Sequence, residues 1–143
     1  MWDNTLFANY GNNDKNQGLK SYKYYPMRRK PISPEVHSLI DYAFGIALMT
    51  VPALLTADKK TVLLYCAMAM QILLYGGLTK QPYTLKPIIP LASHRKIDIG
   101  NLAGLSLLTG LPGIHKRKGL LGFHIGMTAL GLLNVVFTNW KNR

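Results

Sequence analysis

The chain has 143 residues, room for one domain and not for two independent cores. Seventeen Lys and Arg against six Asp and Glu give a formal charge of +11, yet the basic residues lie between apolar runs and not along one polar face. That placement disfavours nucleic acid as a partner and suits a bilayer protein whose flanking charges set its orientation. The single cysteine, Cys66, excludes a disulfide framework and a Cys-based zinc site.

Residues 1–31 are rich in Asn, Lys and Tyr, show neither a helical nor a strand period, and lack the basic start plus apolar stretch of a secretory signal. They read as a polar, basic, flexible leader on the cytoplasmic side. Two apolar runs follow in 32–79, Val36 to Leu55 and Thr61 to Leu78, each near the length of about 20 residues that a spanning helix needs. Pro82 and Pro87 stiffen a connecting loop over 80–88. Residues 89–143 repeat the pattern with Ile97 to Ile114, Gly119 to Trp140 and a short basic tail.

None of the four runs carries the polar stripe that a soluble bundle would turn to water. The expected fold is therefore all-α: a polytopic membrane protein with four transmembrane helices. Lys and Arg are denser in the leader, the central loop and the tail than in the two opposite turns, which predicts both termini in the cytoplasm.

An internal repeat organises these elements. Ile32-Ser-Pro-Glu-Val-His37-Ser-Leu-Ile40-Asp41 aligns without a gap on Ile89-Pro-Leu-Ala-Ser-His94-Arg-Lys-Ile97-Asp98. Pro52 corresponds to Pro112, and Leu78-Thr79 to Phe137-Thr138. Each copy holds two spans, so the copies run the same way through the bilayer, as two tandem parallel helical-hairpin repeats with pseudo-two-fold symmetry.

The repeat also carries the candidate chemistry. His37 and Asp41, like His94 and Asp98, are four residues apart and share one helix face, which continues to Asn101 in the second copy. Ionisable groups inside a membrane are costly and mark functional sites by default. A structural role competes with that reading, because Ser33 and Ser93 are candidate N-caps and a carboxylate near a helix N-terminus is favoured by the dipole. No cofactor is required by the sequence, although two such pairs could hold a metal or a haem between the first and third spans. His124 faces away from Gly122 and Gly126 and reads as an interhelical hydrogen-bond donor, along with Gln71 and Asn101. Gly100 and Gly104, like Gly122 and Gly126, have the spacing that lets helices approach closely.

The run Leu78-Thr79, Tyr83-Thr-Leu85, Ile88-Ile-Pro90, His94 and Ile97-Asp98, echoed by Ile32-Ser-Pro, His37 and Ile40-Asp41, resembles small bacterial four-helix membrane proteins of the SPW-repeat type. At the signature itself this chain keeps only the proline, in Thr50-Val51-Pro52-Ala53 and Gly110-Leu111-Pro112-Gly113. The resemblance covers about residues 30 to 138 and implies a multi-pass protein of the bacterial inner membrane, with no activity attached. No phosphate loop or nucleophile with its base is visible, so the chain does not read as an enzyme. The expected role is that of an accessory or structural protein whose partners are the lipid bilayer and a larger membrane complex or a second copy of itself. The alternative is a cofactor-binding or proton- or solute-conducting unit built on the His–Asp pairs.

Overall fold

The computed structural model describes residues 30–55 and 58–140, so the leader assigned to 1–31 and the end of the tail lie almost wholly outside the described residues. All regular structure among the described residues is helical. Helix α1 runs Pro34–Leu54, α2 Lys59–Leu78, α3 Leu91–Leu108, α4 Pro112–His115 and α5 Lys118–Phe137. Helices α1, α2 and α5 are long and apolar enough to cross a membrane. Helix α3 has 18 residues and is not in that class, since Arg95, Lys96 and Asp98 all fall within it.

The ends of the helices follow from local chemistry. Pro34 sits in the first turn of α1, where its missing N–H costs nothing, and the Ser33 hydroxyl accepts from Val36 N–H at 3.3 Å. Asp58 caps α2 in the same way through Thr61 N–H. In α3 the cap position is Pro90 and not Ser93, which lies inside the first turn. The third helical segment also differs from the expected 97–114. It begins at Leu91, before the charged pair Arg95–Lys96, and stops at Leu108, because Pro112 starts the separate short helix α4. Pro52, its counterpart, lies within α1.

The loop between Leu78 and Leu91 folds back over the end of α2. Leu85 and Lys86 N–H both donate to the Gly77 carbonyl, and Ile88 and Ile89 N–H to that of Leu78, so carbonyls that the helix leaves orphaned are satisfied by the chain that follows. Tyr83, with φ 65°, makes the reversal, and its carbonyl accepts from the Tyr42 hydroxyl of α1 at 2.8 Å.

Helix α1 packs along α2, α3 along α5, and α1 touches α5. Leu48, Tyr65, Ala69, Ile72, Ile114 and Leu120 form the apolar centre, while large hydrophobic side chains such as Leu63, Leu74, Leu107, Ile125 and Leu130 point outward. The inward-facing set is unusually polar: His37, His94, His124, Thr79 and Thr138 are all fully buried. This polar-inside, apolar-outside distribution is the one expected where lipid replaces water around the bundle.

Gly100, Gly104, Gly122 and Gly126 do not pack helices together among the described residues. A Cβ added at any of them would meet nothing within 4 Å, because the faces that carry them point out of the bundle. Close approach occurs instead at Gly45, where a Cβ would lie 2.7 Å from the Leu73 side chain, and at Gly131, where it would lie 2.9 Å from that of Leu102.

Candidate metal centre

Helices α1 and α3 begin at the same end of the bundle at which α2 and α5 finish. His37 and His94 each occupy the fourth position of their helix, and Asp41 and Asp98 follow one turn deeper. The packing brings both pairs to one point. His37 Nε2 lies 3.2 Å from His94 Nε2, 3.2 Å from Asp98 Oδ2 and 3.3 Å from Asp41 Oδ2. His94 Nε2 lies 3.1 Å from Asp41 Oδ2 and 3.3 Å from Asp98 Oδ2. All four residues are buried and could hold a metal ion.

Each of the four is fixed from behind by a different residue. The Thr138 hydroxyl donates to the Asn134 carbonyl at 2.5 Å, so its lone pair must take the hydrogen from His37 Nδ1 at 2.8 Å. Thr79 does the same for His94: its hydroxyl donates to the Tyr75 carbonyl at 2.7 Å and accepts from Nδ1 at 2.7 Å. Both imidazoles therefore carry a hydrogen on Nδ1 and, when neutral, direct the Nε2 lone pair at the centre. The Tyr75 hydroxyl donates to Asp98 Oδ1 at 2.6 Å, and Asn134 Nδ2 donates to Asp41 Oδ1 at 3.1 Å, leaving each Oδ2 facing inward. Outer partners of this kind set the tautomer of ligating histidines and the orientation of ligating carboxylates.

The supports cross between the copies of the sequence repeat. His37 and Asp41 of the first copy rest on Thr138 and Asn134 of the second, whereas His94 and Asp98 of the second rest on Thr79 and Tyr75 of the first. Two isolated parallel bridges, Ile32 with Thr138 and Thr79 with Ile89, tie the backbones at the same places. The Trp140 ring stands edge-on to His37 at 4.6 Å between centroids, with its Nε1 hydrogen held by the Val135 carbonyl.

Four acceptor atoms converge without a donor among them when the histidines are neutral, and two carboxylates add two negative charges. Two protons or one divalent cation would balance that charge. Two Nε2 hydrogens could go one to Asp98 and one to Asp41, whereas a single central ion touches all four atoms at once. A tetrahedron with arms of about 2.0 Å, the usual zinc–nitrogen and zinc–oxygen length, has edges of about 3.3 Å. The five distances given above run from 3.1 to 3.3 Å.

Asn101 and His124 do not join the quartet. Asn101 lies one turn below Asp98, where it accepts from Gln71 Nε2 at 3.2 Å and lines a small cavity. His124 is about 15 Å along α5 from Asn134. There its Nδ1 accepts from the Tyr65 hydroxyl at 2.7 Å and its Nε2 hydrogen goes to the Leu105 carbonyl at 2.9 Å, so it stitches α2, α3 and α5. Sequence reasoning did not assign Thr79, Thr138, Tyr75, Asn134 or Trp140 to the site. The one visible signal was the matched threonine that ends each copy. No family model, characterised protein or solved structure matches this chain.

Proposed function

We propose that the chain is a multi-pass membrane protein that holds one divalent transition-metal ion of the zinc class between its two hairpin copies. The observation that carries this reading is the convergence of two Nε2 and two Oδ2 atoms, each nitrogen 3.1 to 3.3 Å from the other nitrogen and from both oxygens and all four within 4.8 Å of one another, each oriented by its own buried partner. Two imidazoles with two carboxylates in a tetrahedral set suit zinc; calcium and magnesium take six or more ligands, mostly oxygen. A haem is disfavoured, because a macrocycle has no room between imidazoles 3.2 Å apart that share two carboxylates.

A set closed by four protein ligands is the pattern of a structural ion, which fits a non-enzymatic role. One His and one Asp from each copy, with crossed supports, support a pseudo-two-fold arrangement in which α3 is the fourth span and its Arg95 and Lys96 lie at the headgroups. The distribution of basic residues favours cytoplasmic termini in a bacterial inner membrane, in agreement with the SPW-type resemblance. The outward glycine faces of α3 and α5 suit close approach by helices of a larger assembly or of a second copy.

Metal analysis of the purified full chain tests the reading. One zinc per chain is expected, with a cobalt-substituted form showing the intense visible bands of a tetrahedral site. Both signals should vanish in the Asp41→Asn/Asp98→Asn double variant. Wild-type protein that takes up neither ion, or a double variant that keeps it, would refute the proposal.

A further inference from the structure

Directly below the quartet, toward the middle of the bundle, lies a cavity of about 30 Å³. Asp41, Asp98, Tyr75, Asn101 and Asn134 form its polar side, and Phe44, Ile72, Leu102 and Leu105 its apolar side. Two buried polar atoms of residues that line it lack a partner in good hydrogen-bond geometry among the described residues: Asn134 Oδ1, and Asn101 Nδ2, which lies toward the Tyr75 hydroxyl. Asn134 is only 5% exposed, and its orientation is fixed because its Nδ2 must face the Asp41 carboxylate. The amide of Asn101 is likewise oriented by Gln71, which takes its oxygen and leaves Nδ2 over. One of these atoms is an acceptor and the other a donor. A buried unpaired polar group costs on the order of 1–3 kcal/mol, so a pair of complementary ones beside a polar cavity implies an occupant.

The occupant must be small and uncharged, and must offer one hydrogen and one lone pair. Water meets all of these conditions, and the volume admits it. We propose that the cavity is a water site and that it forms the vestibule through which the ion of the quartet exchanges, a proposal that rests on the metal reading above. Trp140, absent from the lining of the cavity, packs edge-on against His37, and the backbone bridges Ile32–Thr138 and Thr79–Ile89 involve the threonines that hold the two histidines. On the cavity side the carboxylates and the Tyr75 and Asn134 groups that hold them line the space, so the two aspartates border both the quartet and the cavity. A carboxylate that swings toward hydrated space can release one bond to the ion while a water replaces it, so the ion leaves in steps and never as a bare charge.

The test uses the full chain in lipid nanodiscs, loaded with Zn²⁺ and mixed with a chromophoric chelator. Asn101→Leu fills the cavity with an apolar side chain without removing a ligand or a ligand's support. It should slow Zn²⁺ entry and release by at least tenfold while leaving the equilibrium Kd unchanged, since a route acts on both rates alike. Gly131→Ala, which adds a methyl to the cavity's own lining against Leu102 and Phe44, should act in the same direction. Unchanged rates in both variants would overturn the proposal. So would a changed Kd with faster release, which would make Asn101 a support of the site, or acceleration by Trp140→Ala alone, which would put the exit on the other face. A water-to-amide NMR cross-peak at the Asn101 side chain in zinc-free protein is expected and needs no metal. If wild-type protein binds no Zn²⁺, the metal reading fails and the exchange route with it, while the cross-peak still decides whether the cavity holds water; its absence would overturn the water site by itself.

Discussion

Thr61 binds one carboxylate twice. Its hydroxyl donates to Asp58 Oδ2 at 2.7 Å and its backbone N–H to Oδ1 at 3.1 Å, so the acid that starts α2 is held in its charged form. The hydroxyl is the larger cause, the backbone N–H the next, and together they lower the Asp58 carboxyl below the ordinary carboxylate range. A group lowered on folding contributes stability that is present above its unfolded value and lost as pH falls through the folded one. The cap of α2 is therefore expected to hold through the neutral range and to open only in strong acid. Thr61→Val removes the larger cause and keeps the shape. The Asp58 carboxyl, followed by carbon NMR through a pH titration, should then move back up toward the ordinary value; an unmoved titration would show that the hydroxyl bond is not formed in solution.

At the scale of the helix, the last turns of α2 and α5 do more than end a span. Thr79 and Thr138 each follow the final helical residue, return their hydroxyl hydrogen to the carbonyl four residues back, and present a lone pair to a histidine of the other copy. Thr79→Val or Thr138→Val keeps the volume but leaves a buried Nδ1 hydrogen unpaired and lets the ring turn. Loss of such a partner typically weakens metal binding 10–100-fold. Competition titration with Zn²⁺ should show a loss of about that size for each valine variant and little change for serine. The His–Asp pairs were legible in the sequence because a spacing of four places them on one helix face whatever surrounds it. Their meeting between the first and third spans was open to the sequence only through the repeat, which places both pairs at matching depth; the residues that support them were not, since those depend on which faces of the apolar helices cross. The start of α3 was missed for a related reason: Arg95 and Lys96 look like loop residues, yet both are exposed helical residues between the buried His94 and Asp98. The glycine pairs do not meet a helix of this bundle, because close spacing says that a helix can be approached, not from which side or by which chain.

For the whole molecule, one ion would join segments far apart in the chain at a single end of the bundle, whereas the Tyr65–His124–Leu105 chain of hydrogen bonds holds the stretch farther along it. Removal of the ion should therefore loosen the protein unevenly. Protons on the two imidazoles would then have to take the place of the central ion, and the backbone bonds that clamp the site would open first: Ile32 N–H to the Phe137 carbonyl, Asn139 N–H to that of Ile32, and Lys80 N–H to that of Ile89. A ligand that binds only the folded state adds about 2.7 kcal/mol at one hundred times its Kd, enough to raise a thermal midpoint by several degrees. The midpoint should climb with the logarithm of Zn²⁺ concentration in the wild type and stay flat in the Asp41→Asn/Asp98→Asn variant. Hydrogen exchange places the effect. After chelation, the amides of residues 32, 80 and 139 are expected to exchange faster, and those of the helical turns around Tyr65 and His124 to remain as slow as before. Uniform acceleration along all helices would mean that the ion holds the entire bundle together, and no acceleration anywhere would mean that the quartet is stable without one.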